Sequence, residues 1–265
     1  MSLKINHPVA FVPTMGALHA GHESLIKIAK TFLPDVVVSV FINPLQFENP
    51  QDFSNYPKTL DSDTRIAEAS GATFIWAPTF EEIYPSDPEI ISAGPTGNLF
   101  EGVHRFGHFD GVLTVVKRLF DLVQPKYAIF GEKDFQQLFL IKEMINKFEL
   151  PITVINAPTI REKSGLAMSS RNSRLSITER ENAARIYSSL IAATAEKDID
   201  RARLLLTKSM NSIPGFIPDY AEIIDEESFE VASVDTARLR AIVAGWINGV
   251  RLLDNMAMPK ELITK

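Results

Sequence analysis

The sequence predicts an α/β fold, a Rossmann-like parallel sheet domain followed by a smaller C-terminal α/β domain. Three observations carry this prediction. Short β-branched runs alternate with helical patterns through the first two-thirds of the chain. One of those runs, Val36–Ile42, is apolar with little alternation, broken by Ser39 alone, as expected for a strand covered on both faces. Beyond residue 157 the pattern changes, and two helical stretches precede three strand-like ones.

Taken in order, Val9–Val12 is the first strand. The helix that follows, from about Gly21 to Lys30, sets Leu25, Ile26 and Ala29 on one face. Val36–Ile42 is the second strand. Thr59–Ser70 is helical and stops at Gly71, a residue that commonly ends helices. Thr73–Trp76 is the third strand, with Phe74 and Trp76 expected in the core. Apolar residues at 112, 113, 116, 119, 120 and 123 give Gly111–Val123 a helical stripe, which Pro125 ends. Tyr127–Phe130 is the fourth strand. Asp134 is expected to cap a helix reaching about Lys147, and Ile152–Ile155 is the fifth strand. Strands separated by helices imply a parallel sheet with right-handed crossovers. In the remainder, Thr178–Lys197 and Asp200–Ser212 read as helices. Tyr220–Ile224, Ala241–Ile247 and Val250–Asn255 read as strands of a small sheet. The expected domains are residues 1–157 and 158–265.

Composition excludes several classes. The 265 residues are 45% apolar and 23% charged, the proportions of an ordinary globular protein. There is no cysteine, so disulfides, thiolate metal sites and a cysteine nucleophile are ruled out together. The net charge of −6 argues against a general nucleic-acid binder. No uninterrupted apolar run reaches the ~18 residues of a membrane span. The first eight residues carry no signal-peptide pattern, so a cytoplasmic protein is expected.

In a parallel sheet, ligands bind beyond the carboxyl ends of the strands. That rule selects residues 13–22, 43–47, 131–137 and 158–174. In the first, Gly16 and Gly21 have the glycine spacing of a Walker A loop, but His22 and Glu23 stand where that loop needs Lys and Ser or Thr. A zinc-protease reading fails because Ile26 stands where a second histidine is needed. A metal on His19 and His22 lacks an obvious third ligand. Two readings remain: neutral histidines donating to a phosphate at a helix start, or two helix-capping histidines. Lys133 offers a mobile cation for phosphate oxygens. Asp134 either caps its helix or holds a phosphate-bound magnesium ion. Gln137 suits a substrate with hydroxyls and a carboxylate. Asn43 and Gln46 make a small mixed pocket or an Asn-Pro turn. Arg161–Arg171 is a flexible loop rich in cations and hydroxyls, closing over a triphosphate or simply solvated. In Gly102–His108, the residues His104, Arg105 and His108 are functional or surface residues, with the loop reading favoured.

Four blocks carry a family resemblance: PTMGALHAGH at 13–22, NPLQF at 43–47, GEKDFQQ at 131–137 and MSSRN at 168–172. In this order, over Val9 to Asn255, they resemble the pantothenate synthetases, or pantoate–β-alanine ligases, within the HxGH nucleotidyl-transferring superfamily. The resemblance implies an AMP-forming carbon–nitrogen ligase acting in pantothenate biosynthesis, on the route to coenzyme A. Pantoate would be activated by ATP, with Mg2+ bound to it, as pantoyl adenylate. β-Alanine would then displace AMP.

It further implies an ATP- and pantoate-binding first domain, a C-terminal lid, and a cytoplasmic homodimer with small-molecule partners but no nucleic acid or membrane. By position, Met15, Gly16, Ala17, Leu18, His19, Ala20, Gly21 and His22 would form the first nucleotide segment. Gly131, Glu132, Lys133 and Asp134 would form the second. Ile160 would make an adenine-side backbone contact, and Met168, Ser169, Ser170 and Arg171 the closing loop. His22, His19 and Lys133 take the catalytic roles, and Gln46, Gln137 and Asn43 the substrate side; no residue is assigned to a resident metal. The chain departs from the family at Asp110, where the HFDGV block usually carries Arg. Two rival readings are a nucleotidylyltransferase that stops at the adenylate of another acceptor, and a nucleotide-binding regulatory protein without turnover.

Overall fold

In the computed structural model, residues 8–48 and 50–259 are described. The chain divides after Pro158 into two compact units. The first holds β1 (Ala10–Thr14), α1 (Ala20–Phe32), β2 (Val36–Val40), α2 (Pro50–Ser54), α3 (Leu60–Ser70) and β3 (Phe74–Trp76). They are followed by α4 (Phe80–Ile83), α5 (Glu101–His104), α6 (His108–Val123), β4 (Tyr127–Gly131), α7 (Phe135–Lys147) and β5 (Thr153–Ala157). All five strands are parallel, in the order β3-β2-β1-β4-β5.

Alternation within the strands builds two apolar faces. Ala10, Val12, Val36, Val38 and Ile129 pack with Ile26 and Ala29 of α1 and Ala67 of α3. On β1, Phe11 lies between Ala10 and Val12 in sequence and is fully buried, its ring edge-on to Phe120 of α6. Phe120 in turn meets Phe130 of β4. Gly71 ends α3 in the left-handed region at φ 106°, as its position after the last apolar residue implies.

Several elements of the first unit differ from the sequence reading, among them the short helices α2, α4 and α5, which it did not contain. Phe74 is 38% exposed, because β3 is an edge strand rather than an interior one. α6 starts at His108, earlier than its apolar stripe, because the left-handed Gly107 sets its start. Asp134 occupies the position before α7, but its side chain caps nothing; a short 3-10 turn, Glu132–Asp134, leads into the helix instead.

The second unit contains α8 (Ile177–Thr194), α9 (Ile199–Asn211) and an antiparallel sheet in the order β6-β7-β8: β6 (Phe216–Asp225), β7 (Leu239–Ile247) and β8 (Val250–Ala257). Ser176 and Glu179 close a reciprocal capping box at the start of α8. Ile186, Leu190, Leu206 and Met210 from the helices pack with Ile223, Val243 and Leu252 of the sheet. β6 begins before the expected Tyr220 because a register shift between Pro218 and Tyr220 lets an edge strand carry proline. Among the described residues, no helix is long and apolar enough to cross a membrane.

Candidate active site

The strand order reverses between β1 and β4, which pair side by side with their following segments leaving in opposite directions. A crevice beyond the carboxyl ends of the strands at this point is where open α/β sheets receive ligands. It places Met15–His22, after β1, beside Gly131–Asp134, after β4.

Residues 14–18 form a tight, internally bonded turn. The Thr14 hydroxyl donates to the Ser39 carbonyl at 2.6 Å and accepts from the Gly16 N–H at 3.2 Å. Gly16 has φ 85° and Ala17 φ 51°, both in the left-handed region. The strain at Ala17 is offset by Asp63 of α3. Its carboxylate accepts from the Ala17 N–H at 3.0 Å and the Leu18 N–H at 2.8 Å, with the Thr59 hydroxyl donating at 3.1 Å. Asp63 is 1% exposed.

Both histidines cap α1. The Gly21 N–H donates to His19 Nδ1 at 3.1 Å, and the His19 N–H donates to His22 Nδ1 at 3.3 Å. A ring nitrogen that accepts carries no proton, so each imidazole is neutral and holds its hydrogen on Nε2. Burial drives the same outcome electrostatically. It pushes His22 down to about 3, helped by its neighbour His19 and by the Lys133 cation. His19 is lowered by burial and by Lys133 in turn, with Asp134 opposing. The two rings lie 4.2 Å apart, centre to centre. The capping and phosphate-donor readings are therefore compatible: Nδ1 caps the helix, and Nε2–H remains a donor. Lys133 lies 3.6 Å from the Asp134 carboxylate.

Gln46 lies in a 3-10 turn, Pro44–Gln46, after β2. Its amide donates to the Met15 sulfur at 2.8 Å, and its oxygen accepts from Asn43 at 3.4 Å. An amide has further donor and acceptor capacity beyond those two bonds. Asn43 is fully buried and occupied internally. It donates to the Gly111 carbonyl at 3.0 Å, caps the turn through the Leu45 N–H, and accepts from the Tyr84 hydroxyl at 3.4 Å. Gln137 is half-buried on α7, with no side-chain hydrogen bond among the described residues.

The neighbouring Gln136 is pinned, accepting from the Glu101 N–H at 3.1 Å and donating to the Thr96 and Leu99 carbonyls at 2.9 Å. Asp110 is turned inward: it accepts from the Ala93 N–H at 2.7 Å, so this carboxylate holds the 91–94 segment onto α6.

In the second unit, residues 161–174 carry hydrogen bonds of their own. Glu162 N–H donates to the Leu166 carbonyl at 2.8 Å, and Met168 N–H to the Ile160 carbonyl at 2.9 Å. Arg161 grips Asp254 with two bonds of 2.6 and 2.9 Å and stacks over Tyr187. Ser169 caps a 3-10 turn that carries Ser170 and Arg171. Buried Asn172 ties the turn to Glu162 and the Ala167 carbonyl. Lys163 and Ser164 remain exposed at the tip.

Asp63 escaped the sequence reading, since its partners lie 45 and 46 positions away. Of the two readings of His108, functional or surface, the surface one does not fit: the residue is 6% exposed. Among the described residues no group of three or more His, Asp or Glu side chains converges as a metal site.

The reversed strand order and the anion-receptive start of α1 define an α/β protein of the nucleotide-binding type. Residues 2–257 match the model of the family described as Pantoate-beta-alanine ligase, and the chain belongs to that family of ligases. Pantothenate synthetase from Acidothermus cellulolyticus is 45% identical over 268 residues, covering 96% of this chain and 86% of that protein. Pantoate--beta-alanine ligase from Schizosaccharomyces pombe is 41% identical, covering 96% and 92%. The crystal structure of pantothenate synthetase from Thermus thermophilus superposes with a TM-score of 0.91 at 41% identity, covering 96% and 94%. Pantoate-beta-alanine ligase from Francisella tularensis, complexed with beta-gamma ATP and beta-alanine, superposes at 0.80 with 38% identity, covering 96% and 90%.

Proposed function

We propose that this chain condenses pantoate with β-alanine to pantothenate through pantoyl adenylate, releasing pyrophosphate and then AMP. The observation that carries the reading is the neutral histidine pair at the start of α1, next to Lys133 at the switch point. A pantoate carboxylate oxygen attacks the α-phosphorus, and the bond to pyrophosphate breaks. His19 and His22 Nε2–H groups and the α1 N-terminus stabilise the charge that grows on the α-phosphoryl oxygens. His22, pushed down to about 3 by burial, stays neutral throughout and acts without proton transfer; burial lowers His19 in the same direction. Lys133 compensates the phosphate charge.

On the acid side, Gln46 and Gln137 hydrogen-bond the pantoate hydroxyls and carboxylate, and Asn43 serves them by fixing the Gln46 turn. The β-alanine amine, as free base, then attacks the acyl carbon. The acyl–oxygen bond breaks toward AMP and one proton is released. Magnesium belongs to the ATP substrate; Asp134, half exposed, is the carboxylate suited to meet it. Backbone of Ile160 and the turn of Met168, Ser169, Ser170 and Arg171 are assigned to ATP by family resemblance, as are the cytoplasmic location and the homodimer.

Mass spectrometry of a reaction with ATP, magnesium, pantoate and β-alanine, omitting each in turn, tests the reading. The expected result is pantothenate plus AMP, with no pantothenate when β-alanine is absent. Pantoate-dependent pyrophosphate without an amide would mean that the first half-reaction works and the amine site is altered. ATP binding with no turnover would favour the non-catalytic reading.

A further inference from the structure

The 101–108 segment, unused by the chemistry so far, forms a chain of contacts that ends on the substrate-side turn. Arg105 lies 3.6 Å from the buried Glu101 carboxylate and 3.0 Å from His108 Nε2. A guanidinium only donates, so His108 Nε2 must accept. The ring proton therefore sits on Nδ1, 2.8 Å from the Gln46 carbonyl oxygen, to which it donates. This is the opposite tautomer to that of His19 and His22. Burial and Arg105 hold His108 near 3, so the arrangement persists at neutral pH.

The start of α6 meets the same turn twice more. Asn43 donates to the Gly111 carbonyl at 3.0 Å, and a Cβ at Gly111 would overlap the Leu45 carbonyl. The Gln46 backbone is thus held by His108 while its side chain reaches Met15.

We propose that His108 is a positioning residue for the acid substrate: its Nδ1–H fixes the Gln46 carbonyl and so aims the Gln46 amide. The proposal rests on the reading of Gln46 as a pantoate contact. Contact with pantoate is not required of His108 itself, so its effect passes through Gln46 and not through ATP.

Two variants of similar size separate this role from general packing. His108→Asn places an amide N–H near the position of Nδ1, whereas His108→Gln reaches only the position of Nε2. His108→Gln is expected to raise the pantoate KM about tenfold, the size of one hydrogen bond, and to leave the ATP KM within about twofold; His108→Asn should stay within about threefold of wild type for both. In a Gln46→Ala background the difference between Asn and Gln should vanish. Equal impairment by Asn and Gln overturns the proposal, as does a difference that survives in the Gln46→Ala background. If Gln46→Ala alone leaves the pantoate KM unchanged, the reading of Gln46 fails and takes the proposal with it. A measurement on the unaltered protein stands beside these: 15N-histidine NMR should show His108 protonated on Nδ1, and protonation on Nε2 overturns the proposal.

Discussion

At the scale of single residues, a side chain can do two things at once because its atoms differ. His22 caps α1 with Nδ1 and keeps Nε2–H free of that cap. His22→Asn retains an acceptor near Nδ1 and removes the donor; His22→Ala removes both. Losing one donor to the growing phosphoryl charge should lower kcat about a hundredfold or more in both variants, with little change in the ATP KM. Melting temperature should separate them, because only the alanine variant also loses a cap worth about 1 kcal/mol. Steady-state kinetics with thermal melts checks both parts, and an unchanged kcat in either variant would remove His22 from the chemistry.

This duality was partly legible in the sequence. Spacing placed His19 and His22 at a helix start and left capping and phosphate binding as competing readings. Which nitrogen accepts, and hence which remains a donor, is a matter of coordinates. His108 stays open in the sequence, functional or surface, for a related reason: no local pattern announces that this residue is buried.

At the scale of elements, α3 has a task its own sequence does not display. It is a helix whose Ala67 packs against one face of the sheet, and the sequence marks it by its stop at Gly71. Its first turn also supplies Asp63, which satisfies two backbone donors of the loop after β1. A carboxylate in a first helical turn ordinarily reads as a dipole partner, and a contact across 45 positions has no sequence signal. Asp63→Asn turns one acceptor into a donor facing an N–H. The expected loss is about 1–3 kcal/mol of stability for the buried group left unpaired. Because Ala17 is held at positive φ against Asp63, the loop should relax, and the ATP KM should rise more than the pantoate KM. Calorimetry and two-substrate kinetics test this; a destabilised variant with an unchanged ATP KM would confine Asp63 to the scaffold.

Elements were otherwise well marked, since strong apolar runs and Gly71 or Pro125 punctuate them. Edges were less so. β3 reads as core from composition alone, yet an edge strand leaves Phe74 facing water. Strand order, which decides that, depends on crossovers rather than on residues within the strand.

At the scale of the whole molecule, acid should act on the two units unequally. All five histidines precede residue 109, so the second unit contains none. His22 and His108 are held near 3 when folded and titrate near their ordinary 6.5 when unfolded. Below 6.5 the unfolded chain therefore binds more protons than the folded one, and stability falls as pH drops toward about 3. Each histidine should cost about 1.4 kcal/mol between pH 7.5 and 5.5, a figure set by the unfolded value because folded titration lies far below this window. His19, also lowered, adds to the loss in the same direction. In the second unit Glu179, lowered by its bonds to Ser176, acts in the same direction, but its stabilisation is lost only as pH falls below the ordinary carboxylate range around 4.5, outside this window.

Each unit carries one tryptophan, Trp76 in the first and Trp246 in the second. Trp246→Phe leaves a reporter of the first unit, and Trp76→Phe a reporter of the second. Fluorescence melts at pH 7.5 and 5.5 should show the Trp76 signal falling by several degrees, at roughly 2–4 °C per kcal/mol for a unit of this size. The Trp246 signal should move less if the units melt separately. Coincident shifts would mean that the two units unfold as one cooperative block, and no shift in either would mean that the buried histidines are not held neutral.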